Sequence, residues 1–468
     1  MIRVLYVILY AYFPSPMNIF TKLRNHYADI EIDIKRLIAA EFFLQVINSA
    51  FTISLNIYLS KQGYSDVQIA AFTADRFIAV MLFALPFGIY IKGKALRPIF
   101  LSGVLAMPLV SLALLEAIAQ HADFWLRLLL IAWGICFTTL AIPSLPYILR
   151  NALPSTHTRA ISLHAATWSM GLIFAGLLIF ILSHLSPPIF HEKMLMQVLT
   201  LVGAGAIWFI LKMSKDEKLE HPTSRTAIAP EKNIATQVYT PISATSTSSY
   251  GTPPQRLGLY ISQLIKQYDW ILIGRAIIPT TLIAVGAGLT IPFMNLFFYH
   301  RFGVNTNNFA LLGAVTACLV FVSTLLVPRI KNRLGYKAIP ITQSFAIASL
   351  VLLGMTDQMT HFHLALPLAL FCFTIRQPLM SLANPMTSEL TMYYVGNHNR
   401  ELMGAIVSAI WSGSWFISSY LFGVLRGMGL PYGSIFFITA TFYMVGVLTY
   451  IVLIKDFNRR EKAGLIIA

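Results

Sequence analysis

The residues of this 468-residue chain best placed to do chemistry are charged side chains lying inside long apolar runs. Arg376 is the sharpest of them, flanked by Gln377 and the helix-breaking Pro378. A charge at the middle of a bilayer costs roughly 2.5–3.5 kcal/mol on insertion scales, so it needs a compensating partner. Its planar guanidinium offers a two-pronged anchor for a carboxylate or another anion. An interhelical ion pair, or carbonyls freed by Pro378, would satisfy it as well. Asp75 and Arg76 sit mid-run and adjacent, so on a helix they diverge and cannot simply pair with each other. Asp75 is the deepest carboxylate, which suits a proton carrier or, equally, a salt bridge to a neighbouring helix. Glu41 and Arg275 each lie one turn inside an apolar run and have opposite charge. A pair between them, across the two halves of the chain, would close an inner mouth; snorkelling to the interface is the commoner outcome. Gln45, Asn48, Thr138 and Asn295 are polar groups able to line a cavity or to bond neighbouring helices. His361 and His363 are two residues apart, a spacing that splays them on a helix and argues against a metal site. No phosphate-binding glycine loop, Ser–His–Asp pattern or His-Glu-x-x-His motif is present, so neither an enzyme nor a cofactor is expected.

These side chains are positioned by an unusually apolar chain. It is 57% hydrophobic and 11% charged, with a mean hydropathy of +0.69. Soluble domains carry roughly 25% charged residues. Twelve apolar spans are read at 37–60, 67–91, 97–119, 124–148, 159–184, 192–213, 271–299, 306–328, 337–356, 362–389, 401–425 and 431–454. Each is long enough to cross a hydrocarbon core as a helix, and none shows the alternation of a barrel strand. The formal charge of +15 would suggest nucleic acid in a soluble protein, but topology accounts for it. With both termini in the cytoplasm, 26 of the 34 Lys and Arg residues fall on the cytoplasmic side and four on the other. That asymmetry sets the orientation, and no nucleic-acid partner is expected. Cys136, Cys318 and Cys372 all lie in apolar runs and offer neither a disulfide framework nor zinc spacing.

Domain organisation follows from the same pattern: a cytoplasmic segment 1–36, a six-helix bundle 37–213, a central cytoplasmic loop 214–270, a second bundle 271–454 and a tail 455–468. The run Val4 to Phe13 is short, lacks a following small-residue cleavage site and is not read as a signal peptide. It is an interfacial segment, or precedes a true start at Met17. The central loop is rich in Ser, Thr and Pro. Its end carries Leu257, Tyr260, Ile261, Leu264, Ile265 and Tyr268 at the spacing of an amphipathic surface helix.

The two halves repeat weakly. Cys136-Phe-Thr-Thr-Leu-Ala-Ile-Pro143 in span 4 matches Cys372-Phe-Thr-Ile-Arg-Gln-Pro378 in span 10. Thr52-Ile53 matches Thr290-Ile291, Asn56 matches Asn295, Arg159 matches Arg400, and Trp168 matches Trp411, all at nearly constant offset. Gene duplication follows.

Six plus six helices, a long central loop and a half-repeat resemble the major facilitator superfamily over roughly 37–454. That family carries Gly-x-x-x-Asp-Arg-x-Gly-Arg-Arg/Lys between the second and third helices of each half. Here the second half reads Pro328-Arg-Ile-Lys-Asn332-Arg333-Leu-Gly335-Tyr-Lys337, matching at Arg333, Gly335 and Lys337 but lacking the acid. The first half reads Gly88-Ile-Tyr-Ile-Lys92-Gly93-Lys94-Ala-Leu-Arg97 and matches only at Gly88 and Arg97. Span 5 has Gly171 and Gly176 without the Gly-Pro pair of the family's antiporters. The segment from Gly286 to Phe298 resembles span 7 of bacterial members.

The resemblance implies an all-α integral membrane fold of two pseudo-symmetric six-helix bundles. These rock by alternating access around a central site lined by spans 1, 4, 7 and 10. The expectation is a monomeric secondary active transporter of a small polar, anionic organic solute in a bacterial inner membrane, coupled to protons. Arg376, Gln377, Gln45, Asn48, Thr138 and Asn295 would bind the solute. Asp75, Arg76, Glu41, Arg275 and Arg333 would couple or gate. A multidrug exporter is the alternative within the class. A non-transporting receptor or scaffold is the rival outside it, ahead of a membrane-embedded enzyme.

Overall fold

A computed structural model describes residues 29–91, 94–153, 156–185, 190–214, 269–396 and 400–463. The terminal run Val4 to Phe13 and nearly all of the central loop, including its expected amphipathic helix, lie outside the described residues. The first half contains α1 (Ile32–Lys61), α2 (Asp66–Tyr90), α3 (Arg97–Ala119), α4 (Asp123–Asn151), α5 (His157–Leu185), α6 (Glu192–Gly203) and α7 (Ala206–Leu211). The second contains α8 (Trp270–Thr290), α9 (Met294–Phe302), α10 (Thr306–Leu334), α11 (Ala338–Thr356), α12 (Ala365–Val395), α13 (Arg400–Gly427) and α14 (Tyr432–Lys462). Helices α6 and α7 together form the sixth span, and α8 and α9 the seventh.

Eleven of the described segments are long and apolar enough to cross a membrane, and α13 brings the long helical segments to twelve. Among the described residues there is no strand. Helices are the solution available to an apolar chain whose backbone groups must be satisfied without water. Large apolar side chains face outward, as at Leu109 (68% exposed) and Val452 (67%), while Gln343 and Arg376 are buried. That inversion of a soluble protein's pattern is what a lipid surround requires.

Packing repeats between halves. In the first half α1 packs on α5 and α6, α2 on α4, and α3 on α4 and α6. In the second, α8 packs on α13 and α14, α10 on α12, and α11 on α12 and α14. Each contact in one list has its counterpart in the other, which is the structural form of the sequence repeat. The halves meet along α2 against α13 and α5 against α10, again a symmetric pair of contacts. Gly176 allows the second approach: a Cβ there would lie 2.5 Å from the carbonyl oxygen of Ala310.

The seventh span is interrupted. Pro292 cannot continue the hydrogen-bond ladder, and Ile291–Phe293 form a single 3-10 turn before α9 resumes. Broken helices in membranes persist where the freed backbone finds other partners. Here Asn56 Nδ2 donates to the Pro292 carbonyl at 2.7 Å.

Candidate functional site

A cavity of about 350 Å³ lies between the bundles. Its wall comes from α1, α2, α4 and α5 on one side and from the Ile291–Pro292 turn and α13 on the other. Aromatic rings dominate: Phe51, Phe72, Phe77, Trp133, Phe137, Trp168, Trp411 and Trp415. Phe77 meets Trp415 across the interface with ring centres 5.0 Å apart. Trp168 and Trp411, paired by the sequence repeat, both face this space.

One charged side chain, Arg76, lines the cavity. Its guanidinium carbon lies 3.9 Å from the centre of the Trp133 ring, a cation–π stack. Its Nη2 donates to Asn48 Oδ1 at 2.7 Å, and Asn48 Nδ2 donates to Gln45 Oε1 at 3.0 Å. Gly134 lets α4 approach here, since a Cβ would lie 2.6 Å from the Arg76 carbonyl oxygen. Among the described residues Arg76 has no ion-pair partner, while its neighbour Asp75 turns to Arg127 at 3.4 Å. The helical divergence of adjacent residues thus separates the two charges. Trp415 adds an indole N–H that is buried without a hydrogen-bond partner. The cavity therefore offers hydrogen-bond donors and a cation on an aromatic lining.

Asn56 and Asn295, related by the repeat, bond to each other at the interface. Asn56 Nδ2 lies 3.3 Å from Asn295 Oδ1, and Asn295 Nδ2 donates to the Ile53 carbonyl at 3.2 Å. Residues related by a two-fold meet in this way when they lie close to its axis.

The sequence-derived candidates fall into three groups. Asn48 and Arg76 line the cavity, and Gln45 stands behind Asn48. Asn295 is a buried interface residue. Thr138 is also buried, and its hydroxyl donates to the Ile135 carbonyl of its own helix. Arg376 was expected to point into the hollow between bundles, but it is not among the residues lining this cavity. It is 1% exposed, and its Nη2 donates to Tyr443 Oη on α14 at 3.1 Å, inside the second bundle. The reason is angular: this face of α12 turns toward α14 rather than across the interface. Its Nε has no partner, and among the described residues it has no ion pair. Gln377 beside it is half-buried.

A Glu41–Arg275 pair across the halves does not form. Glu41 bonds to His164 Nδ1 of α5, and Arg275 lies 4.0 Å from Asp456 of α14. Each charge turns to a helix of its own bundle, so neither reaches across. Arg333 is exposed at the end of α10, next to Lys331, whose Nζ donates to Glu389 at 2.6 Å. Among the described residues no group of His, Cys, Asp and Glu is arranged to hold a metal.

A buried cation with one hydrogen bond and an orphaned nitrogen is a net cost to stability. The double variant Arg376→Met/Tyr443→Phe is expected to melt at the same or a higher temperature than the wild type, read by intrinsic fluorescence in detergent. It should retain uptake. Loss of uptake with an unchanged melting temperature would identify Arg376 as a solute anchor.

At the end of the helices where α1 closes and α2 begins, polar bonds that the sequence reading did not anticipate link the two halves. Asp66, the first residue of α2, accepts from Arg426 Nε at 2.9 Å and from Tyr432 Oη at 2.6 Å. His300 Nδ1 lies 3.5 Å from Asp66, and its Nε2 lies 2.8 Å from Ser60 Oγ. Lys61 donates to Glu192 at 2.5 Å, and Thr306 of the other half donates to the same carboxylate oxygen at 3.0 Å. Three of these groups, Arg426, Tyr432 and His300, belong to the second half and close on one carboxylate of the first.

Two symmetric helix bundles around a polar-anchored cavity, tied at one end, define a membrane transporter architecture. The family model described as Major Facilitator Superfamily matches residues 37–419, and the chain belongs to that family. Among solved structures it is similar to a bacterial homolog of the human lysosomal transporter Spinster, at 14% identity and a TM-score of 0.63, covering 91% of this chain and 97% of that one. A D-xylose–proton symporter gives 12% identity and a TM-score of 0.65, covering 90% and 96%. The nucleoside transporter NupG gives 14% and 0.64, covering 90% and 99%. At these identities the likeness is one of fold. No curated protein matches the chain.

Proposed function

We propose that this protein is a secondary active transporter for a small organic anion with an aromatic or otherwise apolar body. Arg76 carries the reading: a cation without an ion-pair partner among the described residues, stacked on Trp133 and held by Asn48 in a cavity of aromatic walls. A carboxylate can take both prongs of a guanidinium, and the rings take the body. The Lys and Arg distribution supports an orientation with both termini cytoplasmic, which puts the Asp66 network at the outer end. The solute site then opens and closes by rocking of the two halves.

Counterflow in proteoliposomes tests the reading. External radiolabelled 4-hydroxybenzoate is expected to accumulate when the lumen is preloaded with unlabelled 4-hydroxybenzoate, and tetraphenylphosphonium should not compete. Competition by the lipophilic cation alone would favour a multidrug exporter, for which the aromatic wall is the supporting observation. Binding without counterflow would mark a receptor.

Proton coupling is assigned to the contact between buried Glu41 and half-buried His164. A carboxylate and an imidazole in contact within an apolar span provide a site that exchanges one proton without exposing a bare charge to lipid. In Glu41→Gln, uptake driven by an inward proton gradient is expected to fall to the level of passive exchange, while counterflow without a gradient persists. An unchanged response to the gradient would move coupling elsewhere, with Asp75 the next residue to replace.

A further inference from the structure

A second cavity, of about 240 Å³, lies within the C-terminal half. Its lining includes Thr280, Gln343, Asn384, Thr387, Thr391 and Tyr450, from α8, α11, α12 and α14, and it carries no charged side chain. It also includes Trp411, the ring that lines the Arg76 cavity. The two spaces therefore share one aromatic wall. A cavity of this size is below the range that holds a whole drug-sized ligand and fits part of one.

Gln343 is the unexplained group. It is 2% exposed, buried within the membrane span, and its Oε1 has no hydrogen-bond partner. Leaving a buried amide oxygen unpaired is costly, and most such groups in proteins are satisfied. The surrounding hydroxyls do not satisfy it. Thr391 Oγ1 donates to the Thr387 carbonyl, Thr387 Oγ1 to the Asn384 carbonyl, and Thr280 Oγ1 pairs with Tyr450 Oη at 3.2 Å. What is left is an amide seeking a donor, in a chamber whose other polar groups are hydroxyls and amides. A hydroxyl, which both donates and accepts, suits that lining; an ion does not, because nothing there would balance its charge.

We infer that this chamber is a second solute subsite that takes an uncharged, hydroxyl-bearing group, with Gln343 as its principal acceptor. Together with the reading of the Arg76 cavity, on which this inference builds, it defines a two-part solute. An anionic, ring-bearing end lies at Arg76, a neutral polyhydroxylated end lies at Gln343, and Trp411 forms the wall between them. Aryl glycosides that bear a carboxylate have this chemistry.

Tryptophan-fluorescence titration of the purified full-length protein tests it with three probes: 4-hydroxybenzoate, 4-carboxyphenyl β-D-glucoside and phenyl β-D-glucoside. The carboxyphenyl glucoside is expected to bind about tenfold more tightly than 4-hydroxybenzoate, the worth of one or two buried hydrogen bonds. Gln343→Leu should bring the glucoside down to the affinity of its aglycone, and Thr391→Val, a milder change, should take away part of the advantage. Equal affinities in the wild type overturn the inference. So does a glucoside advantage that survives both variants. The neutral phenyl glucoside separates the two readings. If its binding is lost in Gln343→Leu while 4-hydroxybenzoate binding withstands Arg76→Gln, the uncharged subsite stands and the anion anchor falls. If Arg76→Gln abolishes 4-hydroxybenzoate binding and phenyl glucoside never binds, the anchor stands and the subsite falls.

Discussion

Arg76→Gln is expected to lower the affinity for 4-hydroxybenzoate by about 30- to 1000-fold, which corresponds to roughly 2–4 kcal/mol for the loss of a desolvated charge-assisted pair. The loss should appear in counterflow as well as in binding, because the cavity holds no second cation to take over. The variant should still fold. Glutamine removes a charge that has no ion-pair partner among the described residues, and its amide can still reach Asn48. Arg76→Lys should recover part of the affinity. Lysine keeps the charge but loses the planar fork, and with it both the stack on Trp133 and the two-pronged contact. Asn48→Leu should cost less than either, since the stack alone then fixes the guanidinium. An affinity for 4-hydroxybenzoate that is equal in wild type and Arg76→Gln would refute the assignment.

Asp66→Asn is expected to move the protein toward a state open at the end where α1 closes and α2 begins. One carboxylate holds Arg426, Tyr432 and His300 of the opposite half, and it is largely buried, with a side-chain exposure of 10%. Removing one partner of such a pair strands the other charge, at a cost of about 3–5 kcal/mol for a fully buried pair. Arg426, at 23%, keeps some contact with solvent, so about 2–3 kcal/mol is the reasonable figure. That changes the ratio of closed to open forms by about 30- to 150-fold. Spin labels at Gln62→Cys and Met428→Cys, in a background with Cys136, Cys318 and Cys372 replaced by serine, report it. The interlabel distance should gain a long component in the variant. A distribution identical to that of the parent would mean that Lys61, Glu192 and Thr306 hold this end without Asp66.

Some of this was legible in the chain and some was not. The repeat placed Asn56 opposite Asn295 and Trp168 opposite Trp411, and in the structure the first pair bonds while the second faces one cavity. Sequence spacing finds such pairs because a two-fold axis maps equal positions of each half onto the same depth. Arg376 and Arg76 read alike in the chain, but in the structure Arg76 lines the cavity and Arg376 bonds to Tyr443. Both are lone guanidiniums in apolar spans, and a mid-membrane arginine has the same sequence signature whether it faces a cavity or a neighbouring helix. The Asp66 network was missed because Asp66, His300, Arg426 and Tyr432 stand at span ends, where charged residues are expected for solvation alone. Glu41 was singled out, but its partner His164 comes from a helix more than a hundred residues away, and nothing local joins them.

By itself the sequence determined that the chain crosses a membrane about twelve times, as helices and in two related halves. Those properties follow from hydropathy, length and offset, which are sums along the chain. Only the tertiary structure decided which face of each helix turns inward. Near the bundle axes a rotation of one residue, about 100°, carries a side chain from cavity to lipid or to a neighbouring helix. That angle is set by packing between distant segments, and so the Arg76 cavity, the Asp66 bonds and the uncharged chamber are visible only once the helices stand together.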